Sequence, residues 1–114
     1  MPEVAAAEAK QLIDSGAQLL DIRTNPEYEA GHIPGSRHVP LADVPKESTG
    51  LAKNQPVILY CRSGNRSGPA ADAFAASGWD AHSIEGGLLA WAEAGYELEP
   101  AEGSVIENPN MPPP

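Results

Sequence analysis

Behind Pro56 the chain runs from four apolar residues, Val57–Tyr60 (VILY), directly into the polar stretch Cys61-Arg62-Ser63-Gly64-Asn65-Arg66-Ser67. From there it passes into alanine-rich sequence that ends at Gly78. A short apolar run rich in β-branched and aromatic residues, entered through a proline, reads as a buried strand. Residues 67–77 have the composition of a helix, and Gly78 stops it. A strand that turns at once into a helix restricts the fold sharply. The strand must be buried under helices, which is the layering of an α/β domain.

The same alternation extends to both sides. Residues 3–15 (EVAAAEAKQLIDS) are predicted as a helix, with Gly16 as its stop. Residues 18–22 (QLLDI) read as a second buried strand. Asn25-Pro26-Glu27 opens a short helix with Pro26 at its first position, and Gly31 and Pro34 limit its length. Residues 31–35 (GHIPG) are a loop, residues 38–39 a brief strand, and residues 44–51 a weakly signalled helix. Residues 81–84 form another strand, Gly86-Gly87 a turn, and residues 88–94 a last helix closed by Gly95. The expected fold is therefore an α/β domain with a small, mainly parallel sheet. In the helix at 67–77, Ala70, Ala73, Phe74 and Ser77 are expected to share the inward face. Residues 1–100 form the domain. Residues 101–114 (AEGSVIENPNMPPP) read as an acidic, proline-rich tail or linker.

Length and charge remove several function classes. The 114 residues fit one domain. No apolar run approaches the ~20 residues of a membrane helix. The start, Met1-Pro2-Glu3-Val4, lacks the basic and apolar segments of a signal peptide, so a cytoplasmic protein is expected. A formal charge of −9 with scattered basic residues argues against nucleic acid and anionic membranes as partners. The single cysteine rules out an intramolecular disulfide and fits a reducing compartment.

By default a lone cysteine is a small buried hydrophobe, and arginines beside a turn are solvated surface. What favours a functional site here is the density of the stretch at a strand–helix junction, where open α/β sheets bind their ligands. At neutral pH only a small fraction of an ordinary thiol is ionised. A loop leading into a helix turns backbone N–H groups inward and favours an anion. Arg62 and Arg66 add positive charge, and Ser63 and Ser67 add hydroxyl donors. Gly64 allows a left-handed backbone, and Asn65 tolerates one. Cys61 is thus the candidate nucleophile, and Arg62, Ser63, Gly64, Asn65, Arg66 and Ser67 are its candidate binding loop. Cysteine phosphatases carry a similar loop that is one residue longer between Cys and Arg, with room for a phosphate. The shorter ring suits a single sulfur. With no second cysteine there is no internal resolving thiol for a redox scheme.

Three segments, LLDIRTNPEYEAGHIPGS (19–36), VILYCRSGNRS (57–67) and EGGLLAW (85–91), occur in the order of the rhodanese family of sulfurtransferases. The chain resembles that family over about residues 4–98. The resemblance implies a small sheet with helices on both faces and a loop that cradles a persulfide on Cys61. It also implies ping-pong transfer of a sulfane sulfur from a donor such as thiosulfate to cyanide or a thiol, with no metal and no organic cofactor. The implied partners are small-molecule donors and acceptors, with a protein persulfide or thioredoxin-like thiol as their protein counterparts. The alternative is a non-catalytic binding module, but inactive members lack the cysteine or the basic loop, and both are present here. Asp21 and Arg23 are expected to be structural, with Arg23 helping Arg62 and Arg66 to draw in anions. His32 is expected to fix its loop, Gly86 and Gly87 to allow close packing beside the active loop, and Trp91 to sit in the core. Arg37 and His38 stand where the family pattern has smaller or apolar residues.

Overall fold

In the computed structural model residues 3–39 and 54–99 are described. The element order is β1 (Glu3–Val4), α1 (Ala6–Asp14), β2 (Gln18–Asp21), α2 (Asn25–Ala30), β3 (Arg37–His38), β4 (Val57–Tyr60), α3 (Ser67–Ala76), β5 (Ala81–Ile84) and α4 (Gly87–Glu93). All strand pairings are parallel, in the order β1-β5-β4-β2-β3. The apolar tetrad β4 lies at the centre, and all four of its residues are buried. A central parallel strand is covered on both faces, so it needs no polar alternation.

Successive side chains along each strand point to opposite faces. Val57 and Leu59 join Leu20, Ile22 and Cys61 under Ala70, Ala71 and Phe74 of α3. Ile58 and Tyr60 join Leu19 and Ile84 under α1 and α4, with Ala9, Leu88 and Trp91. The predicted arrangement, a parallel sheet with helices on both faces, is the one observed, and Trp91 is a core residue.

Two local expectations are corrected. Residues 3 and 4 are not helical. They form an edge strand that pairs with Ser83 and Ile84, and the helix begins at Ala6. Burial of Val4 and pairing with a strand remote in sequence override helix propensity there. In α3 the buried face is Ser67, Gly68, Ala70, Ala71 and Phe74, while Ala73 and Ser77 are exposed. The inward stripe is set by Ser67 and repeats at three, four and seven residues from it. The helix expected at 44–51 and the tail at 101–114 lie outside the described residues.

Candidate active site

β4 ends at Tyr60, and Cys61 is the first residue past it, buried at the carboxyl edge of the sheet. The chain then curls back around the sulfur. The Gly64 N–H donates to Cys61 Sγ at 3.0 Å and the Arg66 N–H donates at 3.4 Å. The Ser67 hydroxyl donates to the same atom at 3.6 Å. Three donors thus converge on one sulfur atom. The curl depends on Gly64, whose φ is +100°. Asn65 does not share that geometry, since no described residue other than glycine has a positive φ. Its side chain is exposed.

The outer side of the loop is tied down by α4. The Leu88 N–H donates to the Cys61 carbonyl at 2.8 Å, and the Leu89 N–H donates to that of Arg62 at 3.0 Å. The first free N–H groups of a helix thereby find acceptors, and the loop finds an anchor. Gly87 is what permits the approach: a Cβ there would lie 2.5 Å from the Cys61 carbonyl oxygen and 2.6 Å from that of Arg62. The glycine pair thus packs against the loop as expected from sequence.

Arg66 does not present a free guanidinium. Its two terminal nitrogens meet the two carboxylate oxygens of Glu27 at 3.0 Å each, a bidentate fork. Glu27 is buried, and it also accepts from the Thr24 backbone and hydroxyl in a capping box that starts α2. Burial pushes the Glu27 carboxyl up, but its bonds to Arg66 and Thr24 outweigh that and hold it below the ordinary carboxylate range. The bonds to Glu27 correspondingly raise the Arg66 guanidinium.

Arg23 is corrected more firmly. It is fully buried, with Nε and Nη2 on the Asp21 carboxylate and Nη2 also on the Gly31 carbonyl. It binds the GHIPG turn to the end of β2 and has no surface with which to attract an anion. The ion pair with Asp21 is in keeping with the structural role expected of both residues. His32 acts as a loop fixer: its Nδ1 meets the Tyr28 carbonyl at 2.8 Å, its ring stacks on Tyr28, and its backbone bridges to Glu99. The Tyr60 hydroxyl accepts from the Ile33 N–H and donates to Ser36, holding the same loop from below. His38 stacks on the other face of Tyr28 and reaches the Arg23 carbonyl at 2.7 Å, which accounts for a histidine at that position.

Two residues of the site were not singled out from sequence. Glu27 was seen only as part of a helix start; Thr24 followed three residues later by Glu27 is the signal of a capping box, but it does not name Arg66 as a partner. Ser83 gave no signal at all, yet its hydroxyl lies 2.7 Å from that of Ser67. Three polar atoms of the loop, Arg62 Nε, Ser63 Oγ and Arg66 Nε, are buried without a hydrogen-bond partner. A cavity of about 380 Å³ lined by Ile13, Ile33, Trp91 and Tyr96 contains no residue of the loop.

A parallel sheet whose central strand delivers a buried cysteine to two N–H groups and a hydroxyl defines an α/β protein with a cysteine-centred loop. The chain belongs to the rhodanese family: the family model for the rhodanese-like domain matches residues 5–94. It is 37% identical over 105 residues to the thiosulfate sulfurtransferase GlpE of Pseudomonas paraeruginosa, covering 91% of this chain and 92% of that protein. It is 42% identical over 73 residues to the putative sulfur carrier protein YrkF of Bacillus subtilis, covering 62% of this chain and 40% of that protein. Among solved structures, a rhodanese-related protein from Thermoplasma volcanium superposes with a TM-score of 0.79 at 26% identity, over 86% of this chain and 97% of that one. No helix among the described residues is long and apolar enough to cross a membrane.

Proposed function

We propose that the chain is a sulfurtransferase in which Cys61 carries a sulfane sulfur as a persulfide. The observation that carries this reading is the position of Cys61 Sγ inside its own loop, with the N–H groups of Gly64 and Arg66 and the Ser67 hydroxyl directed at it. Such a cradle stabilises a thiolate as nucleophile and again as leaving group. The named activity of the Pseudomonas relative supports thiosulfate as a donor.

In the first half-reaction the Cys61 thiolate attacks the outer sulfur of thiosulfate. A new S–S bond forms on Cys61, the donor S–S bond breaks, and sulfite leaves with the electron pair. In the second, cyanide or a thiolate attacks the outer sulfur of the persulfide. The Cys61 thiolate leaves with its electron pair, and thiocyanate or a new persulfide departs. Every step uses this chain's own residues. Cys61 has no exposed surface, so its partner must offer a terminal sulfur that reaches into the loop. Thiosulfate and persulfides, including a protein persulfide, share that feature. A thioredoxin-like thiol is a matching acceptor, and similarity to a protein named as a sulfur carrier supports exchange with proteins.

The phosphatase reading is weaker. Four residues separate Cys61 from Arg66. The fork of Arg66 that would grip a phosphate is already closed on Glu27.

Intact-mass measurement after thiosulfate treatment tests the proposal. The expected result is a gain of one sulfur that cyanide removes and that Cys61→Ser never shows. A folded wild type with a free thiol that gains no sulfur from thiosulfate or from a persulfide donor would sink it.

A further inference from the structure

The sulfur of Cys61 is connected to a residue of the sheet that no motif includes. Ser83 lies in β5 on the same face as Ala81, the face covered by α3. An aliphatic residue is the ordinary occupant of such a position, and a buried hydroxyl there is costly unless it is bonded. Ser83 is 0% exposed, and its hydroxyl is paired with Ser67 at 2.7 Å. Ser67 is also 0% exposed, and its oxygen lies 3.6 Å from Cys61 Sγ. The atoms thus form a chain: Ser83 Oγ, Ser67 Oγ, Cys61 Sγ.

Hydrogen accounting gives this chain a direction. Each hydroxyl carries one hydrogen and two lone pairs. If Ser83 donates to Ser67, the hydrogen of Ser67 is free to point at the sulfur. If Ser67 donates to Ser83 instead, its lone pairs face the sulfur and repel a thiolate. An anionic sulfur therefore selects the first arrangement, and Ser83 completes it. Linked hydrogen bonds also polarise one another, so the second hydroxyl strengthens the first. The charged groups around the sulfur are Arg66, with Glu27 behind it from α2, and Arg62 on the loop. From β5 no charge adds to them on this face: His82 belongs to the opposite face and pairs with Asp80.

We infer that Ser83 is a positioning residue for sulfur transfer, acting through the Ser67 hydroxyl to hold Cys61 as a thiolate. The inference rests on the sulfur-transfer reading of Cys61. Because the pair touches the inner sulfur rather than the donor, its loss changes turnover more than donor binding.

The test compares Ser83→Thr with Ser83→Val, which match in size and differ in the hydroxyl. Ser83→Ala, Ser67→Ala and the double variant Ser67→Ala/Ser83→Ala complete the series. Thiosulfate–cyanide turnover and the ultraviolet thiolate absorbance of the sole cysteine at neutral pH are read in each, with circular dichroism to certify folding. Ser83→Val and Ser83→Ala are expected to lower kcat about threefold to tenfold, with KM for thiosulfate within about twofold of wild type. Thiolate absorbance falls with kcat, and Ser83→Thr restores both. The double variant is no slower than Ser67→Ala alone. Equal kcat and absorbance in Ser83→Thr and Ser83→Val overturn the inference, as does a double variant in which the two losses multiply. If the wild type moves no sulfur, the broader reading fails, while the Thr–Val difference in absorbance still decides the role of Ser83.

Discussion

Arg23 meets Asp21 two residues away, with 2.7 Å between Nη2 and Oδ2 and both side chains fully buried. Arg66 meets Glu27 across 39 residues, through two contacts of 3.0 Å, with its own side chain 13% exposed. The first pair is closed by the end of β2 itself and extends to the Gly31 carbonyl. It sets how the chain leaves the sheet and enters the GHIPG turn. The second joins the start of α2 to the loop around Cys61. Both pairs are arginine on carboxylate and both are largely out of water, but sequence pointed to a structural role for Arg23 and to an anion-binding one for Arg66. Their difference lies in what is lost with them: the path of the chain in one case, the shape of the sulfur cradle in the other.

The largest expected effect follows from the fully buried pair. A buried ion pair contributes little net stability, but removing one partner strands the other and costs about 3–5 kcal/mol. Asp21→Ala is expected to lose that much in urea unfolding, while the folded fraction keeps its rate of sulfur transfer. Glu27→Ala strands an arginine that still reaches water, so its expected loss is smaller, about 1–3 kcal/mol. Its rate of persulfide formation, in contrast, is expected to fall about tenfold, because Arg66 supplies both a backbone donor to the sulfur and the start of α3. The contrast breaks if the transfer rate of folded Asp21→Ala falls as far as that of Glu27→Ala.

Acid sharpens the same contrast. The Glu27 carboxyl is held below its ordinary value of 4.5 by Arg66 and Thr24, against the upward push of burial. A group whose folded value is depressed adds stability that is complete above its unfolded value and is lost as pH falls through the folded one. The stability gap between wild type and Glu27→Gln is therefore expected to be full at neutral pH. It should close as the pH is lowered below 4.5 and through the folded value. Denaturant titrations at a series of pH values measure it. A gap that stays constant or widens on acidification contradicts the proposed pairing.

What sequence made legible was local. VILY, the loop from Cys61 to Ser67 and the helix after it are contiguous, so propensity and turn chemistry were enough to place Cys61 at a strand end. The glycine pair at 86–87 was legible for the same reason, as a turn that opens a helix. What stayed hidden was carried by pairings remote in sequence. Val4 looked helical because its partner Ile84 lies at the far end of the domain. Glu27 had a visible local role in a helix cap that concealed its distant one. Ser83 sits in the run AHSI, where the alternation of faces is clear only once α3 is in place above it. Arg66 was read as a free cation because its counter-charge, Glu27, lies 39 residues away, whereas Asp21 stands two residues from Arg23 and made a structural role legible there.

The smallest expected effect concerns the one loop arginine that neither pair claims. Among the described residues no carboxylate forms an ion pair with Arg62, and its Nε is without a partner. Its backbone carbonyl is held by Leu89 whatever the side chain is. Arg62→Ala is therefore expected to alter stability by no more than about 0.5 kcal/mol. On a chain of formal charge −9, however, a dianionic donor depends on local positive charge to approach. The variant is expected to raise KM for thiosulfate about threefold to tenfold, with kcat little changed. Salt separates this charge effect from packing, because the screening length shrinks from about 30 Å at 0.01 M to about 10 Å at 0.1 M. The ratio of wild-type to Arg62→Ala kcat/KM should thus narrow as salt is added, and Arg62→Lys should follow the wild type. A salt-independent ratio would assign Arg62 to holding the loop, as Arg66 does, and the attraction of anions would have to come from elsewhere on the protein.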